Sequence, residues 1–286
     1  MKIIDIIKGD KPSLSFEVFP PKNTSSFDTV RDAALAIADL SPSYMSVTYG
    51  AGGSTDAYTG VIAESINNKG VTALAHLSCI ASTREGVLMR LSDLRSRGIE
   101  NILALRGDLP EGATLDRAEY RHASELAEEI RAFGGFCIGG ACYPEGHPES
   151  VSEDRDIEAL SIKVECGCEF LTTQMFFDNA VVYRFMDKLL ARGITVPIVP
   201  GIMPVTSVKQ IARITGLSGG NIPKELMAIV ERNRDDEIGM REAGVEYATR
   251  QIEDLYKNGF NAVHVYSMNK PDVARAIRDN LKGVIG

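Results

Sequence analysis

The chain has 286 residues, 44% of them hydrophobic and 24% charged, an ordinary globular balance that excludes a disordered, collagen-like or mucin-like protein. Its 39 acidic residues outnumber 31 basic ones for a formal charge of −8, and without a Lys/Arg block it lacks the basic surface a nucleic-acid or anionic-membrane binder needs. No apolar run approaches the roughly 18 residues that cross a bilayer, and the opening stretch Met1–Lys8 is too short and too charged for a signal peptide, so a cytoplasmic protein directed at small molecules is expected.

In chain order, short β-branched or apolar runs fall at Leu14–Phe19, Tyr44–Tyr49, Thr72–Leu77, Asn101–Arg106, Phe136–Tyr143, Phe170–Phe176, Val196–Pro200 and Asn261–Tyr266. Several are continuously apolar, as strands buried on both faces of a parallel sheet should be. Between them lie segments of helical period: Thr29–Leu40, Arg84–Arg97 with its stop at Gly98, Ser152–Cys166, and Ala180–Arg192 closing at Gly193. A polar helical stretch, Pro223–Lys257, interrupts the rhythm before the eighth strand and contains the charged run Glu231–Glu237, a solvated face. A final helix carries Arg275, Arg278 and Lys282.

No Pro/Ser/Gly linker divides the chain, so residues 1–286 read as a single domain. Repeated β/α alternation at this length predicts an α/β fold, a (β/α)8 TIM barrel with an extra helical segment before strand eight. A Rossmann-like open sheet is the runner-up. It is disfavoured because Leu14–Lys22 stands where a GxGxxG turn would be. The five cysteines (Cys79, Cys137, Cys142, Cys166, Cys168) are scattered, with CxC rather than CxxC spacing, and read as reduced thiols rather than metal ligands.

In such barrels chemistry gathers at the C-terminal ends of the strands. There the chain offers Glu17, Thr48-Tyr49, His76, Arg106-Gly107-Asp108, Tyr143 with His147, Gln174 and Tyr266. Glu17 stands between phenylalanines in an apolar run, where desolvation favours the protonated acid and suits general acid work; the alternative is an ion pair with an arginine that ties the barrel together. Arg106 and Asp108 flank a glycine that would let a ligand approach the backbone, or they form a local ion pair. Gly50–Thr55 opens a helix and offers N–H groups to a phosphate, or is an ordinary turn. His76 and His147 are ligand contacts or hydrogen-bonded structure; no HxH or HExxH supports a metal. With no strand-end lysine and no GxSxG elbow, an organic cofactor is expected to carry the chemistry.

The motifs Phe16-Glu17-Val18-Phe19-Pro20-Pro21-Lys22, Val47-Thr48-Tyr49-Gly50-Ala51, His76-Leu77-Ser78-Cys79 and Leu105-Arg106-Gly107-Asp108-Leu109-Pro110 resemble those of methylenetetrahydrofolate reductases. So do the stretches Ala141–Pro148, Thr173–Asp178 and Pro200–Pro204, in the same order. The resemblance runs from about residue 12 to 270 and fits the bacterial catalytic-barrel form. It implies a barrel holding FAD that reduces 5,10-methylenetetrahydrofolate to 5-methyltetrahydrofolate by ping-pong hydride transfer, with NADH or NADPH as co-substrate, in one-carbon metabolism and methionine biosynthesis.

By that resemblance Glu17 matches the acid that protonates the folate and opens its five-membered ring, and Asp108 the carboxylate beside flavin and folate. Gln174, Gln210 and Lys270 fall at substrate-side positions. Implied flavin contacts are Thr48, Tyr49, Ala51, His76, Leu105, Arg106, Gly107, Asp108, Ala123, Tyr143, His147, Asp156 and Lys163, with Arg106, His147 and Lys163 suited to the diphosphate and ribityl region. Two departures stand out. Ile214 occupies the position where some bacterial members stack an aromatic ring, and Met268-Asn269-Lys270 replaces Leu-Asn-Arg, so a lysine would hold the folate tail as a point charge. The alternative they raise is a folate-reducing flavoprotein subunit fed by an electron-transfer partner protein. A homo-oligomer is implied as well.

Overall fold

The computed structural model describes residues 1–21, 24–49, 56–108, 118–211, 214 and 222–285. Its elements, in chain order, are α1 (Ile3–Ile7), β1 (Ser13–Val18), α2 (Phe27–Ala38), β2 (Tyr44–Val47), α3 (Asp56–Asn68), β3 (Ala73–Ser78), α4 (Arg84–Ser96) and β4 (Asn101–Leu105). There follow α5 (Ala123–Phe133), β5 (Cys137–Cys142), α6 (Glu153–Glu165), β6 (Phe170–Thr173), α7 (Asn179–Ala191), β7 (Ile198–Val199) and β8 (Gly201–Ile202). The chain ends with α8 (Lys224–Arg232), α9 (Glu237–Lys257), β9 (Ala262–Tyr266), α10 (Pro271–Asn280) and α11 (Lys282–Ile285).

Every strand pairing is parallel, in the order β7-β6-β5-β4-β3-β2-β1-β9-β8. The expected seventh strand is the one that differs. Pro200 brings no N–H to the ladder, so Ile198–Val199 pair with β6 while Gly201–Ile202 pair with β9. The Pro200 carbonyl still accepts from the His264 N–H at 2.9 Å. Two short strands thus fill one position and bring the ends of the sheet together as a barrel. Gly201 is required at the join: a Cβ there would lie 2.4 Å from the Thr173 carbonyl oxygen and 2.5 Å from the Tyr266 hydroxyl.

The period of two sorts each strand into an outer and an inner row. Outward residues such as Phe16, Val18, Met45, Val47, Ala75, Ile102 and Val265 pack against the surrounding helices in the main core. Inward residues divide by height. At the N-terminal end Tyr44, Leu74, Leu103, Cys137, Phe170, Val199 and Ala262 form an apolar plug with Ile3, Ile4 and Ile7 of α1. Burial of each isoleucine contributes about 2 kcal/mol. Asn101 ties this helix down, its Oδ1 accepting from the Ile3 N–H at 2.8 Å and its Nδ2 donating to the Met1 carbonyl at 3.1 Å. Toward the C-terminal end the inward side chains turn polar.

The extra helical stretch is two helices rather than one. It breaks at residues 233–236, where Asp236 caps α9 by accepting from the Gly239 N–H at 2.9 Å. The charged run straddles that turn, in solvent for most of its length. Among the described residues no helix is long and apolar enough to cross a membrane.

Candidate active site

The C-terminal mouth carries three groups of polar side chains. The first is buried. Glu17 of β1 is only 7% exposed, and its basic neighbours among the described residues are histidines: His76 Nε2 at 3.6 Å and His264 Nε2 at 3.8 Å from Oε2. No described arginine pairs with it, so among the described residues the arginine-tied barrel strut, one of its two readings, is not seen. Ser46 Oγ lies 3.4 Å from Glu17 Oε2 and 3.0 Å from His264 Nε2, while Ser15 Oγ lies 2.7 Å from His264 Nδ1. The Ser267 hydroxyl donates to the Glu17 carbonyl at 2.7 Å and fixes the backbone beneath the carboxyl.

Ser15 also donates to the Val263 carbonyl at 3.1 Å and Ser46 donates to Glu17 Oε2, so the two serine hydroxyls bracket the imidazole and one of them reaches the carboxyl. The imidazole of His264 stacks on Tyr44, with ring centroids 5.8 Å apart and planes at 5°, and meets the edge of Tyr266 at 5.6 Å. Burial lowers the His76 pKa from 6.5 to about 4, which keeps the ring neutral. Among the described residues His76 Nε2 has no hydrogen-bond partner.

The second group lies at the ends of β4 to β6 and is cationic. Arg106 donates from Nη1 and Nη2 to the two oxygens of Glu149, at 2.5 and 2.6 Å. The alternative of a local Arg106–Asp108 pair is thus replaced by a partner from the next loop; Asp108 is exposed. Gly107 sits at φ +87°, and a Cβ there would lie 2.0 Å from Ser78 Oγ, so the close packing of Ser78 and the backbone conformation both require glycine. The His147 ring meets Tyr143 edge-on at 4.5 Å, and its backbone N–H donates to Asp156 Oδ2 at 3.1 Å. Lys163 donates to the Ala141 carbonyl at 2.7 Å, and burial pulls its pKa below the ordinary lysine value.

Other expected flavin contacts frame these two groups. Thr48 follows β2, its carbonyl accepting from the Thr59 hydroxyl at 2.9 Å; Tyr49 lies under the Arg90 guanidinium at 5.4 Å; Leu105 ends β4; Ala123 is buried in the first turn of α5. Ala51 and the Gly50–Thr55 turn lie outside the described residues.

The third group lies between the loop after β8 and the start of α10. Gln210 Oε1 accepts from the Thr206 and Ser207 N–H groups at 2.7 and 3.0 Å, and Lys270 Nζ donates to Thr206 Oγ1 at 2.8 Å. Both residues thus organise their loop. Gln174 Oε1 accepts from the Met175 N–H at 2.9 Å. Ile214 is buried among Phe177, Val205, Leu226 and Val230 in a satellite apolar cluster.

The sequence reading missed Ser15, Ser46 and His264. The available signal was parity: Ser15 shares the inward row with Glu17, and Ser15 pairs with His264 while Glu17 pairs with both Ser46 and Tyr266 in the ladder. Glu149 carried no such signal, since its contact with Arg106 spans two loops.

Fold and mouth together define a (β/α)8-barrel protein with its functional groups on one rim. The chain belongs to the methylenetetrahydrofolate reductase family, whose model matches residues 2–282. It is 33% identical to the 5,10-methylenetetrahydrofolate reductase of Escherichia coli K12, over 93% of this chain and 89% of the relative. It is 32% identical to methylenetetrahydrofolate reductase (NADH) 1 of Zea mays, over 98% of this chain. The chain spans about half the length of such plant relatives. Among solved structures, an uncharacterised Clostridium thermocellum protein that binds two copies of 5-methyl-5,6,7,8-tetrahydrofolic acid superposes with a TM-score of 0.69 at 13% identity, covering 99% of both chains. At that identity the likeness bears on the fold alone.

Proposed function

We propose that this protein reduces 5,10-methylenetetrahydrofolate to 5-methyltetrahydrofolate, with FAD as bound cofactor and NADH or NADPH as electron source. Family membership supports the reaction. The observation that carries the assignment to this mouth is Glu17: a carboxyl buried in a cage of serines and histidines rather than neutralised by a fixed cation.

The residues present fit a flavin dinucleotide. Arg106, His147 and Lys163 supply donors suited to a diphosphate, and His76 Nε2 is a buried polar atom awaiting a partner. When bound, FAD would supply the two-electron carrier that serine, histidine and carboxylate chemistry lacks. The chain's own groups do the rest. Glu17 gives the proton that breaks the carbon–nitrogen bond of the folate's five-membered ring, and Ser46 and His264 hold its carboxyl in place. Asp108 places a negative charge near the iminium cation this creates. Gln174, Gln210 and Lys270 bind the folate, Lys270 as a point charge toward its acidic tail. Folate and pyridine nucleotide take turns at the same mouth, a ping-pong sequence.

A second reading keeps the folate chemistry but takes electrons from a partner protein. The burial of Ile214 favours it, since that position offers the nicotinamide no aromatic face. One experiment tests both. The purified, FAD-loaded protein is reduced chemically without oxygen and mixed with 5,10-methylenetetrahydrofolate. Reoxidation with 5-methyltetrahydrofolate as product is expected; bound flavin that stays reduced would overturn the folate assignment. Oxidation of NADH or NADPH by the protein alone then decides between the two electron sources.

A further inference from the structure

We propose that Glu149 is a placeholder anion: in the free protein its carboxylate occupies the Arg106 fork, and the cofactor's diphosphate must displace it to bind. This rests on reading the rim as an FAD site.

The two partners are held very unequally. Arg106 is the fixed one. Its side chain is 20% exposed, and its carbonyl accepts from the Ser78 hydroxyl at 2.9 Å and the Ile80 N–H at 2.8 Å. Its Nε is spent on the Gly107 carbonyl at 3.2 Å, which leaves the two terminal nitrogens facing outward as a fork. Glu149 is the exchangeable one. Its side chain is 61% exposed, and its backbone tie is an N–H donated to His147 Nδ1 at 3.2 Å.

The geometry is that of anion recognition. Both carboxylate oxygens meet both terminal nitrogens, at 2.5 and 2.6 Å, the bidentate match by which arginine takes either a carboxylate or a phosphate. A diphosphate using the same fork cannot share it with Glu149. The loop that carries Glu149 also carries His147, so one short segment supplies both a donor for the ligand and the group that stands in for it.

One partner of the pair is an exposed carboxylate, so the displacement cost is a modest factor in affinity. Replacing the carboxylate by a neutral amide removes the competitor without disturbing a buried contact. The test is FAD binding to the cofactor-free protein at fixed ionic strength, followed by quenching of flavin fluorescence, which needs no turnover. Glu149→Gln is expected to bind FAD about 2- to 5-fold more tightly than the unaltered chain. In an Arg106→Met background the same substitution should change nothing, because the shared fork is gone.

Equal or weaker binding by Glu149→Gln would overturn the proposal and make Glu149 an organiser of the arginine or a plain surface charge. Tightening that persists in the Arg106→Met background would overturn it as well, since the effect would then be general charge repulsion. If the unaltered chain binds no FAD, the reading of the rim falls and the proposal with it. If it binds FAD and Glu149→Gln binds no better, only the proposal falls.

Discussion

On the β1, β2 and β9 side of the mouth, Glu17, Ser15, Ser46 and His264 are all at most 7% exposed, and they contact one another inside the barrel at 2.7 to 3.4 Å. On the β4 to β6 side, Arg106 and His147 are partly open, and Arg106 pairs with the exposed Glu149. Burial explains the contrast. A carboxyl deep in the barrel is held by buried hydroxyls and imidazoles, whereas a rim cation stays partly open and pairs with an exposed anion. On the function proposed above, one side moves a proton at a fixed point and the other exchanges anions.

The contrast can be broken most sharply at His264. Replacing it by alanine removes the partner of two buried hydroxyls and the ring stacked on Tyr44, and should cost about 3–4 kcal/mol in urea unfolding. FAD affinity of the protein that remains folded should hardly move, since the cationic side is untouched. A comparable loss of FAD affinity would mean that the two sides are one coupled unit.

Acid should attack the buried side next. His76 has its folded pKa lowered to about 4 from 6.5, so between those values the unfolded chain binds the extra proton and stability rises with pH. Its contribution is intact above about 6.5 and is lost as pH falls toward about 4, on the order of 3 kcal/mol in all. His76→Gln should flatten that part of the stability profile; an unchanged slope would show that the ring titrates normally. The smallest of these effects belongs to the rim. Arg106→Met should weaken FAD binding by about 10- to 30-fold, the worth of one charge-assisted contact, while changing unfolding stability by less than about 1 kcal/mol because its own partner is exposed.

Much of the scaffold was legible in the residues. Apolar, β-branched runs fall where the parallel strands lie, and all but the seventh agree to within a few residues. The seventh departs because a single proline divides it between two neighbours, and pattern alone does not show which neighbour each half will choose. The plug helix Ile3–Ile7 was missed because five residues carry too little period to read. Glu17 announced itself as a charge among phenylalanines. His264 did not, being embedded in Ala262-Val263-His264-Val265-Tyr266, where an isolated histidine reads as strand. Once strand parity places it inward beside Ser15, its contacts with Ser15 and Ser46 follow. Gln210 and Lys270 were placed by resemblance, and their ties to Thr206 depend on loop geometry that the sequence does not encode locally.

The division of labour between the two sides is tested most directly by Glu17→Gln, with the two half-reactions measured separately by anaerobic stopped flow on the FAD-loaded protein. Folate reduction should fall at least 100-fold, the usual worth of a general acid, while FAD binding and any oxidation of NADH or NADPH stay close to those of the unaltered chain. An equal loss in both half-reactions would contradict the assignment and make Glu17 a structural member of the mouth rather than its proton donor.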